Sequence, residues 1–223
     1  MSFTDTHNMI RHADTGIPDV TYDQFVANLF RPLPRSTMFT HAVLGMVTEY
    51  HEACTAKDRT NFIEECGDYL FFMTAALQQL PPTTYEDDEL HDHAHRVANE
   101  SWQFFPDSGI PSEDDIEPSM ADAAQFNFNP LLDIAKRWLA YDKEPNDEQA
   151  KQAMLCATYG FLLLHSKDTE LQDLGTIEEV IPMLVKTNVA KLKHRYKGGF
   201  STHAALNRDV EGELRDLSRV FGV

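Results

Sequence analysis

The stretch LGMVTEYHEACTAKDRTNFIEECGDYLFFM, residues 44–73, is the part of the chain that decides the fold. It contains two carboxylate pairs with i, i+3 spacing, Glu49 with Glu52 and Glu65 with Asp68. Residues with this spacing lie on one face of a helix, about one turn apart. Apolar residues at helical spacing accompany both pairs, and a short polar link separates them. We therefore expect two antiparallel helices that bring four carboxylates around one cavity.

Asp68 is the clearest sign of a site, because it interrupts a run that otherwise has the pattern of a buried helix face. A carboxylate buried there needs a cation or hydrogen-bond donors beside it. The helical wheel directs Glu65 and Asp68 inward, places Glu49 on the shoulder of its apolar stripe and leaves Glu52 further out. Gly67 predicts a close helix approach, since glycine inside a helix costs about 1 kcal/mol relative to alanine. One such pair is common on solvated helices, but two pairs against apolar stripes favour a cation site.

Net charge limits the classes of partner. The 223 residues carry a formal net charge of -17, with a pI of about 4.8. This balance argues against binding to a nucleic acid polymer or to an anionic membrane. A nucleotide that brings its own magnesium is compatible with it.

Cysteine usage and hydropathy indicate the compartment. Cys54, Cys66 and Cys156 show no metal-ligand spacing and are expected to be reduced thiols in the core. No apolar signal region and no apolar stretch of membrane-spanning length is found. We expect a cytoplasmic protein that spans no membrane.

Helical periodicity extends over most of the chain, with no convincing run of alternating strand residues. The predicted helices cover residues 22–30, 37–56, 60–80, 86–105, 130–141, 147–165, 177–196 and 203–221. A long loop is expected at residues 107–129, which are rich in Pro, Asp, Ser and Asn. The predicted fold class is all-α, in one domain.

A basic segment near the end contrasts with the acidic chain. Residues 186–197 contain five Lys or Arg and no acidic residue. On a helix, Asn188, Lys191 and Arg195 share a narrow arc and can converge on one ligand. Ammonium and guanidinium groups suit phosphate oxygens, so these three are candidate substrate-binding residues.

Together, the two regions resemble the MazG-like, all-α nucleoside triphosphate pyrophosphohydrolases. The family's ExxE, spacer and ExxD motif matches Glu49 to Glu52, the spacer 53–64, and Glu65 to Asp68. NVAKLKHRYKGGFS, followed by AALNRD, is similar to the family's N-x-x-K-L-x-x-R-Y segment. The resemblance is clear over residues 22–80 and 181–209 and weak between them.

The resemblance implies a fold, a cofactor and an activity. It implies a MazG-like helical bundle with its core at residues 22–80 and 177–221, an insertion at about 81–176, and assembly as a homo-oligomer, either dimer or tetramer. The activity would be Mg²⁺-dependent hydrolysis of (deoxy)nucleoside triphosphates to the monophosphate and pyrophosphate, in nucleotide-pool control or house-cleaning, with Mn²⁺ as a substitute ion. The implied metal ligands are Glu49, Glu52, Glu65 and Asp68.

Roles for single residues follow from the same resemblance. Glu49 or Glu52 would double as the catalytic base. Lys191 and Arg195 would neutralise the departing pyrophosphate, and Asn188 would orient a phosphate or sugar oxygen.

The sequence departs from the family pattern in three places. Thr48 stands where many members carry another glutamate, and the spacer between the pairs is short. The long insertion replaces a brief connection. Its DIAKRWLAYDKEP is similar to an element missing from the spacer, so Lys136, Trp138 and Tyr141 are expected to line the nucleotide pocket.

The same sequence features also allow other functions. A deoxyuridine- or deoxycytidine-triphosphatase-like nucleotidohydrolase with strict base preference shares the carboxylate helices, and no motif identifies the base. A helical oligomerisation or regulatory module could retain the fold without activity. His91 and His95 suggest an HD-type metal site, but the further ligands are not found, and the two ExxH repeats of a di-iron bundle are absent from the sequence.

Overall fold

The chain folds as an assembly of α-helices. The computed structural model describes residues 3–30, 32–81, 128–167 and 175–196, together with residues 209 and 212. No strand occurs among these residues, apart from one isolated bridge between Asp14 and Thr21, so the all-α class is confirmed. The helices are α1 (Phe3–Arg11), α2 (Tyr22–Leu29), α3 (Arg35–Cys54), α4 (Arg59–Leu77), α5 (Asn129–Tyr141), α6 (Asp147–Lys167) and α7 (Ile177–Arg195).

Six of these helices agree with the predicted ones to within three residues at each end. Helix α1 was not predicted, because its sequence FTDTHNMIR is largely polar. Two predicted helices, at residues 86–105 and 203–221, lie outside the described residues except for positions 209 and 212. The same holds for the expected loop up to residue 127.

Helices α3 and α4 form the antiparallel pair that the sequence predicts. Four residues, 55–58, connect them, and Asp58 caps α4 by accepting a hydrogen bond from the Asn61 backbone N–H at 2.9 Å. The rings of Tyr50 and Tyr69 lie 6.0 Å apart across the pair. Gly45 faces the Phe72 ring so closely that a Cβ there would come within 2.5 Å of it.

Helix α7 crosses α4 at Gly67. A Cβ on Gly67 would lie 3.3 Å from the Asn188 Cβ and 3.4 Å from the Leu184 carbonyl oxygen. The predicted close approach at this glycine is therefore confirmed, and it sets the basic face of α7 beside the carboxylates of α4.

The core is continuous across these helices. Helices α5 and α6, from the predicted insertion, join the same buried cluster as α3 and α4. The Tyr69 hydroxyl of α4 donates to the Ala157 carbonyl of α6 at 2.6 Å. Cys66 and Cys156 are buried in the core and Cys54 is half-buried, and none of the three forms a disulfide. None of the helices in the described ranges combines the length and the apolar character needed to cross a bilayer.

Candidate metal and phosphate site

Three carboxylates meet where α3 and α4 face each other. Glu49 comes from α3, and Glu65 and Asp68 come from successive turns of α4. Each contributes an oxygen such that the three oxygens lie within 4.8 Å of one another. Glu65 is 8% exposed, and Glu49 and Asp68 are half-buried. The expected convergence of the two helices' carboxylates is therefore present for three of the four predicted residues.

Carboxylates held this close raise one another's pKa. The pKa of Glu49 is raised to about 9 by burial and by the neighbouring Asp68 and Glu65. Burial, with Asp68 and Glu64, also raises the pKa of Glu65. The Glu49 and Glu65 carboxyl groups are hydrogen-bonded to each other, which requires a proton on one of them. Without a cation, the pair therefore retains a proton at neutral pH.

Lys191 is the cation that the fold places beside Asp68. Its side chain is 1% exposed, and its ammonium group makes an ion pair with an Asp68 oxygen and lies 3.2 Å from Glu64 Oε1. Burial acts to lower the pKa of Lys191, but Asp68 and Glu64 outweigh it and the pKa is raised. The ammonium group is thus engaged by carboxylates, the arrangement that a desolvated charge requires.

Asn188 holds the other oxygen of Asp68. Its Nδ2 donates to Asp68 Oδ1 at 2.7 Å, while its Oδ1 accepts from the Tyr22 hydroxyl at 2.9 Å. Burial and the charge of Asp68 raise the pKa of Tyr22, so the hydroxyl keeps its proton and remains a donor. Both Asp68 oxygens are therefore held by donors from α7.

Three residues at the site were not predicted. Asn61 donates to Glu65 Oε1 at 2.6 Å, and Glu64 pairs with Lys191. Helical spacing offered a signal for both, because Asn61 precedes Glu65 by four residues and Glu64 precedes Asp68 by four. Tyr22 is separated from Asn188 by 166 residues, and no sequence pattern links them.

Two predicted site residues lie away from this cluster. Glu52 is exposed and is not one of the carboxylates that the described structure brings within 4.8 Å. Arg195, in the last turn of α7, is half-buried and lies 6.0 Å from the centre of the Tyr196 ring. Its charge acts on Lys191, so it is the outer member of the predicted basic arc.

The α5 residues expected at the nucleotide pocket have other surroundings. Trp138 is buried, with its ring 5.5 Å from Phe39 and 5.4 Å from the Arg35 guanidinium. Phe39 precedes Glu49 by ten residues, which is about 15 Å along α3. Trp138 is therefore a core residue at the far end of the helix, while Lys136 and Tyr141 are exposed.

The donor set fits a hard divalent cation. All three converging ligands are carboxylate oxygens, and their mutual separations suit coordination at about 2.0–2.6 Å. The His91 and His95 alternative lies outside the described residues. No protein-family model, no curated protein and no solved structure matches the chain.

Proposed function

We propose that the chain is a Mg²⁺-dependent hydrolase that converts (deoxy)nucleoside triphosphates to the monophosphate and pyrophosphate. The observation that carries this proposal is the convergence of Glu49, Glu65 and Asp68 within 4.8 Å, backed by Lys191 and Asn188 of the basic helix. Carboxylates clustered beside a basic helix suit a ligand that combines a cation with phosphates.

Each carboxylate of the cluster has its own role in the proposed reaction. Glu65 and Asp68 would hold Mg²⁺, and when bound the ion supplies positive charge to the triphosphate and makes a water molecule more acidic. Mn²⁺ would substitute for it. Glu49 is the better placed of the two candidate bases, because it lies within the cluster while Glu52 is exposed. A divalent cation held by Glu65 and Asp68 would favour the ionised form of Glu49, the form that can accept a proton.

The basic helix would contribute in two ways. The ammonium group of Lys191, bonded to Asp68 and Glu64, holds the Asp68 carboxylate in place. Arg195 stands one turn further along α7 and would meet the phosphates as they leave. A phosphate that reached Lys191 would have to share its ammonium group with these carboxylates.

A pyrophosphate-release assay tests the proposal. Canonical and modified (d)NTPs are incubated with the protein and Mg²⁺, and the products are separated to distinguish the monophosphate from the diphosphate. We expect pyrophosphate and monophosphate in equal amounts. Glu65→Gln and Asp68→Asn should each lower kcat by at least about 100-fold, because they remove a ligand that is needed in the transition state.

A matched control separates the site from general acidity. Asp133 is an exposed carboxylate on α5 that pairs with Arg137. Asp133→Asn changes the net charge by the same amount as Asp68→Asn and should leave kcat unchanged. The proposal is wrong if no triphosphate is cleaved, or if the Glu65 and Asp68 variants retain wild-type rates.

Assembly is a further part of the proposal. We propose a homo-oligomer, dimer or tetramer, and the exposed apolar side chains Leu44, Leu139 and Tyr141 are consistent with surfaces that pack against another copy. Light scattering coupled to size-exclusion chromatography gives the mass directly. A monomeric mass at assay concentration would contradict this part alone.

A further inference from the structure

Tyr22 is a buried polar residue to which the proposed reaction assigns no role. Its side chain is fully buried on α2, and its ring stacks on Phe25 at a centroid distance of 6.3 Å. Thr21 and Gln24 form a capping box at the start of the same helix, which fixes the backbone at Tyr22. The hydroxyl is therefore presented by a well-supported element.

Two hydrogen bonds link Tyr22 to Asp68 through the Asn188 amide, and the chemistry of the three side chains fixes which group donates in each. An ionised carboxylate only accepts hydrogen bonds, so the NH₂ end of the Asn188 amide must face Asp68. The amide oxygen then points the opposite way, toward Tyr22, and needs a donor because Asn188 is only 1% exposed. The Tyr22 hydroxyl is that donor, at 2.9 Å.

Loss of this donor would act on Asp68. Without a donor on its oxygen, the Asn188 amide is no longer fixed in the orientation that points its NH₂ group toward Asp68, 2.7 Å away. The reversed amide would set an oxygen against the carboxylate, and the two would repel. The side chain of Asp68 would then be held by Lys191 alone, on one oxygen.

We propose that Tyr22 is a positioning residue of the carboxylate site: it orients the Asn188 amide, and the amide holds Asp68 in the orientation that binds a divalent cation. This inference rests on the cation site of the proposed function. Tyr22 touches neither cation nor substrate, so its effect passes through Asn188 and Asp68.

Mn²⁺ binding without nucleotide tests the inference. Isothermal titration of the full chain gives the dissociation constant for Mn²⁺, and thermal unfolding in EDTA gives the stability. Tyr22→Phe should weaken Mn²⁺ binding by about 3- to 10-fold, somewhat less than the loss typical of a residue in direct contact with a metal ligand.

Tyr69→Phe is the matched control. Tyr69 is also fully buried and also donates a single hydroxyl hydrogen bond, but to the Ala157 carbonyl of α6. Both variants should lower the melting temperature, since each loses a buried hydrogen bond. Only Tyr22→Phe should weaken Mn²⁺ binding; an equal loss in both variants, or unchanged affinity in Tyr22→Phe, would overturn the inference.

A double-mutant cycle tests the route. In an Asn188→Leu background, Tyr22→Phe should have no further effect on Mn²⁺ affinity, because the amide through which it acts is gone. An undiminished effect in that background would overturn the inference.

The measurement is independent of catalysis. Wild-type protein that binds Mn²⁺ but cleaves no triphosphate would overturn the proposed function, while the variant affinities would still decide the role of Tyr22. Wild-type protein that binds no Mn²⁺ would overturn both.

Discussion

Glu49→Gln is expected to stabilise the metal-free protein, because it removes one of three crowded carboxylates. Oxygens of Glu49, Glu65 and Asp68 lie within 4.8 Å of one another, and like charges at that separation repel by about 3 kcal/mol at an effective dielectric constant of about 20. Lys191 offsets the charge of Asp68, and the Glu49 and Glu65 pair avoids the remaining repulsion by retaining a proton, at a free-energy cost that grows with pH. Glutamine keeps the shape of the side chain and offers an N–H to Glu65.

The pH dependence expresses the same crowding as a shift in the pKa of Glu49. The pKa of Glu49 is raised from 4.5 to about 9 by burial, Asp68 and Glu65. A carboxyl group with a raised folded-state pKa stabilises the folded protein fully below the unfolded pKa, and this contribution is lost as the pH rises toward the folded pKa. At about 1.4 kcal/mol per pH unit, the loss between the unfolded pKa and neutrality is about 3 kcal/mol. Solvent reaches part of this side chain, so we expect Glu49→Gln to gain about 1–3 kcal/mol at pH 8 and little at pH 5.

Urea unfolding followed by far-ultraviolet circular dichroism measures this gain, in EDTA at both pH values. Glu52→Gln is the control, since Glu52 is exposed on the same helix and its substitution should change the unfolding free energy by less than about 0.5 kcal/mol. Adding Mg²⁺ should raise the melting temperature of the wild type more than that of Glu49→Gln. A Glu49→Gln protein that is less stable than the wild type at pH 8, or equally changed at both pH values, would refute the reasoning.

Three further perturbations have expected outcomes. Lys191→Met should lower the free energy of unfolding in urea by about 3–5 kcal/mol, because it leaves Asp68 without its buried partner. Asp68→Asn in the same protein should recover part of the loss, and an unchanged urea midpoint in Lys191→Met would contradict this expectation. Burial lowers the pKa of His7 to about 4 from 6.5, so its contribution to stability is present above pH 6.5 and is lost as the pH falls toward 4. Over that range the wild type should lose up to about 3 kcal/mol more than His7→Gln, and parallel pH profiles would contradict the assignment. Gly67→Val should destabilise by about 2 kcal/mol or more, because a Cβ there already lies 3.3 Å from the Asn188 Cβ; wild-type thermal stability would show that the helices can separate at little cost.

The carboxylate helices could be predicted because their pattern is local. Helical periodicity requires only the residues within a few turns, and it placed Glu65 and Asp68 toward the partner helix. Glu52 was counted among the four converging carboxylates although the helical wheel set it further out, and it is exposed. The connection of four residues then leaves an antiparallel arrangement as the natural one. For Gly67, the cost of glycine inside a helix was enough to predict a close approach, though not which helix approaches.

The role of the basic helix α7 could not be predicted from local spacing. A helical wheel groups Asn188, Lys191 and Arg195 in one arc, but it does not say what that arc faces. The fold turns the first two toward Asp68 and leaves Arg195 at the outer edge. Trp138 shows that a local motif can also mislead. Its segment is similar to a family element, which suggested a place in the nucleotide pocket, but the packing of α5 on α3 places its side chain in the core.

By itself, the sequence determined the all-α class, the positions of six of the described helices and the inward face of Glu65 and Asp68, because these depend on the spacing of neighbouring residues. Only the tertiary structure decided which charges meet. The contacts that build the site join Asp68 to residues 120 and 123 positions away, and Tyr22 to one 166 positions away. Such pairings depend on how α2, α4 and α7 pack, and that packing is set by the shape of the shared core and by the absence of a side chain at Gly67.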